Sequence, residues 1–150
     1  MEKKIKVAIY SGTVPSTIFI ENLIDGLSRI GLNIYIFGKK QSPAIKPKPN
    51  VKYILVPNKW VNKLGFILVQ AISLIVKNPR RFLRLVSYHD SKLKNNYKDK
   101  INWFIRTLPV VNNLPDIFHI QWAKSLEEWI FLKDIFDTKL VLSLRGSHIT

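Results

Sequence analysis

Two clusters of residues able to hold a ligand stand near the end of this 150-residue sequence: His119, Gln121 and Trp122, then Arg145, Gly146, Ser147 and His148. Each closes a short apolar run, Asp116–Ile120 in the first case and Leu140–Leu144 in the second. A guanidinium followed by glycine at the end of a strand suits a phosphate or a sugar hydroxyl, because it offers a forked donor beside unshielded backbone N–H groups. His119 could transfer a proton, or it could be a satisfied core histidine within a strand. Between the two runs lies the amphipathic stretch Leu126–Phe136, so the unit reads as strand, helix, strand. In an open α/β sheet ligands bind beyond the carboxyl ends of parallel strands, which is where both clusters fall.

Other chemistries find little support. His89, His119 and His148 never fall into H-x-x-x-H or H-E-x-x-H spacing, and there are no cysteines, so no metal or other cofactor is expected. Ser143 lacks the G-x-S-x-G elbow of a hydrolase nucleophile. Glu127 and Glu128 read as first-turn acids of a helix, favoured there by its dipole.

The elements that must carry these residues begin with Ile5–Tyr10, a β-rich run closed by the turn Ser11-Gly12-Thr13. Gly12 alone is no dinucleotide fingerprint, which needs three glycines in G-x-G-x-x-G, and no P-loop lysine follows. It serves turn geometry or faces a ligand. Ser16 or Thr17 can cap a helix whose apolar positions Ile20, Leu23, Ile24, Leu27 and Ile30 keep helical spacing up to Gly31. Asn33–Phe37 and Val51–Val56 are two further strands, separated by the proline- and lysine-rich loop 39–50. Lys100–Leu108 has helical spacing and is expected to end before Pro109. The whole reads as an α/β domain, a parallel sheet with helices on both faces.

Composition bounds the setting. Hydrophobic content is 47% and the chain is long enough for one buried core. The absence of cysteine and of an apolar leader after Met1 points to a cytoplasmic protein rather than a secreted precursor. The net charge of +14 divides unevenly, with balances of +5, +9 and zero over successive fifty-residue thirds. Such an excess attracts anionic surfaces, nucleic acid or phospholipid. Its peak surrounds Leu64–Val76, a run of 13 residues broken only by Gln70 and Ser73. That run falls short of the roughly 20 apolar residues needed to span a bilayer. It is either a core helix or one lying in a membrane interface. Lys63, Lys77, Arg80, Arg81 and Arg84 beside Phe82 form the pattern of a peripheral contact with an anionic membrane; the alternative is a packed helical excursion with a solvated basic face.

Several of these stretches resemble a known family. Ile5–Gly12 with the helix after it, Asp116-Ile117-Phe118-His119-Ile120-Gln121-Trp122, and Leu142-Ser143-Leu144-Arg145-Gly146-Ser147-His148-Ile149 are similar to segments of the N-terminal domain of family-4-like GT-B glycosyltransferases of bacteria. Asn78-Pro79-Arg80-Arg81-Phe82 resembles the basic helical insertion common in that group. The resemblance implies a Rossmann-like acceptor-side domain over residues 1–150 with a helical insertion at about 60–108, membrane-associated at the inner face of the plasma membrane. The implied activity is transfer of a sugar from a nucleotide-sugar donor to a saccharide or lipid-linked acceptor in cell-surface polysaccharide biosynthesis, without a metal.

By position, the resemblance puts His119, tentatively catalytic, with Gln121 and Trp122 on the acceptor side, and Gly12, Arg145, Gly146 and His148 on the donor side. Many members have histidine where this chain has Gln121, and glutamine cannot be a general base. The chain also has no room for the C-terminal donor-binding domain, so a fragment or split subunit, inactive alone, is expected. The alternatives are a basic nucleic-acid-binding module, although no such motif is found and no nucleic acid is expected, and a non-catalytic partner of a split transferase.

Overall fold

The computed structural model describes residues 4–41, 45, 47–92 and 96–143. Arg145, Gly146 and His148, together with the end of the second apolar run, lie outside the described residues.

Five strands form one parallel sheet: β1 (Lys6–Val14), β2 (Asn33–Lys40), β3 (Val51–Val56), β4 (Ile117–Ile120) and β5 (Lys139–Leu142). Their order is β3-β2-β1-β4-β5, so the chain winds outward to one edge and then crosses back to the other side of β1. Reversal of direction between β1 and β4 is a topological switch point, and it opens a crevice at their carboxyl ends.

Period-2 alternation divides the core into two layers. Ile9, Ile34 and Ile36 face α1 (Ile18–Arg29), which buries Ile20 and Ile24 against them. Ala8, Phe37, Phe118 and Ile120 face the other way. On that side lie α2 (Trp60–Lys77), α3 (Pro79–Lys92), α4 (Tyr97–Asn112) and the short helices α5 (Leu126–Trp129) and α6 (Phe131–Phe136). The sheet thus has helices on both faces, the Rossmann-like arrangement expected from the pattern of elements.

Local differences from the sequence reading have identifiable causes. The turn expected at Ser11-Gly12-Thr13 is instead a bulge: the register slips between Tyr10 and Gly12, and β1 runs on to pair Thr13 with Lys39. Gly12 supplies the positive φ of 76° that this requires. Gly38 does not end β2; a Cβ there would stand 3.1 Å from Ser11 Oγ and 3.2 Å from Gly12 O, so the close approach of the two strands would crowd any side chain. Gly31, at φ 79°, ends α1 as expected.

Pro109 does not stop α4, which continues to Asn112. The turn containing it buries Leu108, Val110 and Val111 almost completely, and that burial outweighs the missing N–H. Leu126–Phe136, expected as one helix, is two short ones meeting at Ile130. Left-handed Asp137, at φ 56°, turns the chain into β5.

The N-terminus of α4 offers a contained test. Asn96 Oδ1 accepts a hydrogen bond from Asp99 N–H at 3.0 Å, capping the helix that carries Trp103 and Arg106. Replacing Asn96 with alanine is expected to lower stability by about 1 kcal/mol. A urea midpoint unchanged from wild type shows that water serves the cap equally well.

Candidate functional site

The crevice at the switch point is built from three pieces of chain. The end of β1 contributes Tyr10, Ser11 and Gly12; the end of β4 contributes Ile120, Gln121 and Trp122; the segment after it contributes Ser125, Glu128 and Trp129. Arg106 reaches in from α4, and together these residues enclose a cavity of about 240 Å³. A second cavity of about 430 Å³ shares Tyr10 and Arg106 and extends past Lys39, Lys63, Asp99 and Asn102. A larger hollow, about 630 Å³, lies against Lys6, Asn112, Asp116 and Lys139 where strands begin. Being at the amino end of the sheet, it lacks the converging strand ends that build binding crevices in this kind of fold.

Each polar group in the smaller cavity has a local reason for its position. Trp129 ends α5 and is 1% exposed, with ring centroids 4.6 Å from Phe118 and 5.0 Å from Tyr10. Helical geometry places Glu128 one residue earlier, beside the cavity rather than under it. Arg106 is steadied by donation from its Nε to Asn102 O at 3.3 Å, and its Nη1 stands 2.8 Å from Glu128 Oε1. That oxygen is buried and held in this ion pair. The indole Nε1 of Trp129 is buried without an acceptor. Burial raises the Glu128 carboxyl above its ordinary value, with Arg106 opposing the shift. Burial also raises Tyr10, with Arg106 opposing it and Glu128 adding to it. A buried donor left without an acceptor normally costs stability, so the indole N–H of a residue lining this cavity marks a place where something else supplies the partner.

The sequence-derived residues divide. Gly12, Gln121 and Trp122 converge on the cavity. Gly12 provides the positive φ of the bulge and also lines the cavity wall. His119 belongs to the opposite face of the sheet, since β4 alternates and Phe118 and Ile120 take the cavity side. Its Nε2 is 2.7 Å from Ser143 Oγ, and Gln121 Nε2 is 3.4 Å from its Nδ1. If the glutamine amide donates to Nδ1, the imidazole carries its proton on Nε2 and donates to Ser143, so it cannot activate that hydroxyl.

Of the expected membrane contacts, Lys77, Arg80 and Arg84 are exposed. Lys63 lines the larger of the two crevice cavities, Arg81 lines the hollow at the amino edge, and Phe82 packs against the core. The residues that sequence reasoning missed are Tyr10, Arg106, Glu128 and Trp129. Only Glu128 drew attention, as a helix-terminal acid. Its pairing with an arginine 22 positions earlier exists only once α4 crosses the sheet end.

No family model and no curated protein matches the chain. Among solved structures, its fold is similar to that of a phenylacrylic acid decarboxylase from Aquifex aeolicus, at 13% identity over 99% of this chain and 86% of that one, with a TM-score of 0.37. At that distance the likeness concerns the α/β fold alone.

The comparisons do not uphold the family-4-like GT-B glycosyltransferase resemblance or the polysaccharide-biosynthesis role drawn from it: no family model and no curated glycosyltransferase matches the chain. The nucleic-acid-binding and split-transferase alternatives are likewise unsupported. The physical reason is plain in the fold. The stretches that carried the resemblance are an opening strand and two later strand ends, and a parallel sheet of any function puts such apolar runs and polar ends at its carboxyl edge.

Proposed function

We propose that the chain is the ligand-binding domain of an enzyme acting on a small phosphorylated polyol, held in the crevice between β1 and β4. The observation that carries this reading is the buried indole donor Trp129 Nε1, without an acceptor, beside the Arg106–Glu128 ion pair in that crevice. A hydroxyl accepts from the indole N–H and can donate to the carboxylate of Glu128 at the same time. Arg106 within the cavity, and Lys39 and Lys63 in its extension, favour an anionic substituent on the same molecule. Half-exposed Trp122 offers an apolar wall for the carbon skeleton. A carboxyl whose proton affinity is raised by burial is suited to exchanging a proton with a bound hydroxyl near neutral pH, the role assigned here to Glu128.

Calorimetric titration with glycerol phosphate, and with glycerol as the uncharged control, tests the reading. Glycerol phosphate is expected to bind and glycerol not. Trp129→Phe removes the indole donor while keeping an aromatic ring, and is expected to weaken binding by about tenfold. Absence of heat with glycerol phosphate, or equal affinity in Trp129→Phe, overturns the proposal.

A further inference from the structure

The helix α2 has two apolar faces, and the body of the protein uses only one. Ile67, Ala71 and Leu74 turn inward, and Leu74 is its one fully buried residue. Asn112 of α4 donates to Gln70 Oε1 at 2.9 Å, fixing the helix against the domain. On the opposite side, Val61, Leu64, Leu68, Val69, Ile72, Ile75 and Val76 recur at helical spacing and remain exposed, 77% in the case of Val61 and Val76. Water is a poor solvent for such a stripe, and an exposed apolar patch of this kind marks an interaction surface.

The charge around the stripe selects its occupant. Lys59 stands just before the helix, Lys77 ends it, and Arg80 and Arg84 follow in α3; all four are exposed. No aspartate or glutamate occurs anywhere from Gly26 to His89. A second copy of the chain would meet this stripe with equally cationic ends, and like charges would oppose the pairing. By length and composition, Trp60–Lys77 is apolar enough to cross a membrane. Its inner face, however, is packed on the α/β body, so the helix can lie along a bilayer but not leave the domain to enter one end-on.

We propose that α2 docks the protein in the plane of a bilayer containing anionic lipid, with Leu68 and Ile72 at the centre of the inserted stripe and Lys59, Lys77, Arg80 and Arg84 on the headgroups. This inference does not depend on the crevice or its ligand.

Sedimentation with phosphatidylcholine vesicles, with and without phosphatidylglycerol, provides the test. The protein is expected to sediment with the anionic vesicles, and the doubly substituted Leu68→Glu, Ile72→Glu protein, its fold checked by circular dichroism, to lose about tenfold or more in partitioning. Should that protein fail to fold, quenching of Trp60 by brominated lipid in the otherwise unaltered chain, with Trp60→Phe as the blank, reads insertion directly. Quenching supports the proposal, and its absence refutes it. Equal sedimentation with neutral vesicles, unchanged partitioning of the double variant, or a concentration-dependent dimer that ignores vesicles overturns it.

Discussion

Replacing Trp129 with alanine is expected to lower the free energy of unfolding by about 3–5 kcal/mol, a large part of a small domain's stability. The indole is essentially inaccessible and fills the space where α5 meets the sheet, against Phe118, Tyr10 and Phe131. Alanine leaves a void that these rings cannot close, because Phe118 is held in β4 and Tyr10 in β1. Urea unfolding followed by far-ultraviolet circular dichroism measures the change without relying on tryptophan emission. The phenylalanine variant makes the comparison informative. Its ring retains most of the packing, and the N–H it removes has no partner to lose, so its stability is expected to stay within about 1.5 kcal/mol of wild type. Comparable losses in the two variants mean that the indole N–H is held by a partner after all, and the ligand-binding reading then loses its main support.

Replacing Arg106 with methionine is expected to destabilise the protein by about 2 kcal/mol at neutral pH and by much less in acid. The figure sits below that for a fully buried pair because Arg106 is 37% and Glu128 24% exposed, and solvent screens part of the interaction. Arg106 is the group that opposes the rise in the Glu128 proton affinity; without it, burial acts alone and the carboxyl moves further up. An acid whose folded value is raised stabilises the fold where it is protonated, and that contribution is lost as pH climbs from the unfolded value of 4.5 through the raised folded value. The variant therefore has its deficit above this window and recovers below it. Urea midpoints at neutral pH and at a pH below 4.5 decide the matter. A deficit of equal size at both means the arginine acts through its aliphatic stem rather than through its charge.

The strand and helix periodicities were legible because each reports a single burial direction. Ile20, Leu23, Ile24 and Leu27 read as one face of a helix, and Val51–Val56 as a short strand. Signals that depend on a neighbour were misread. Gly38 resembles a strand terminator, yet its lack of a side chain answers the approach of Ser11 and Gly12 on the next strand. Pro109 resembles a helix stop, and only the buried positions around it explain why the helix continues. The assignment to a transferase family failed for a related reason, since polar residues after apolar runs describe the edge of a parallel sheet and not the reaction carried out there.

From the sequence alone came the α/β class, the parallel sheet, and the expectation of a ligand site beyond the strand ends at Ile120 and Leu144. Local chain physics sufficed for these, because hydrophobic period and turn chemistry act over a few residues. Tertiary structure decided which side chains meet at that place. Phe118 and Ile120 face the cavity, so alternation along β4 puts His119 on the other face, whereas Gln121, just past the strand's end, lines the cavity. Arg106, Glu128 and Tyr10, far apart in the chain, come together because α4 crosses the sheet end. Tertiary packing also decided which face of α2 is left to solvent. Both faces are apolar in sequence, and only contact with α4 and the core distinguishes the one that is covered.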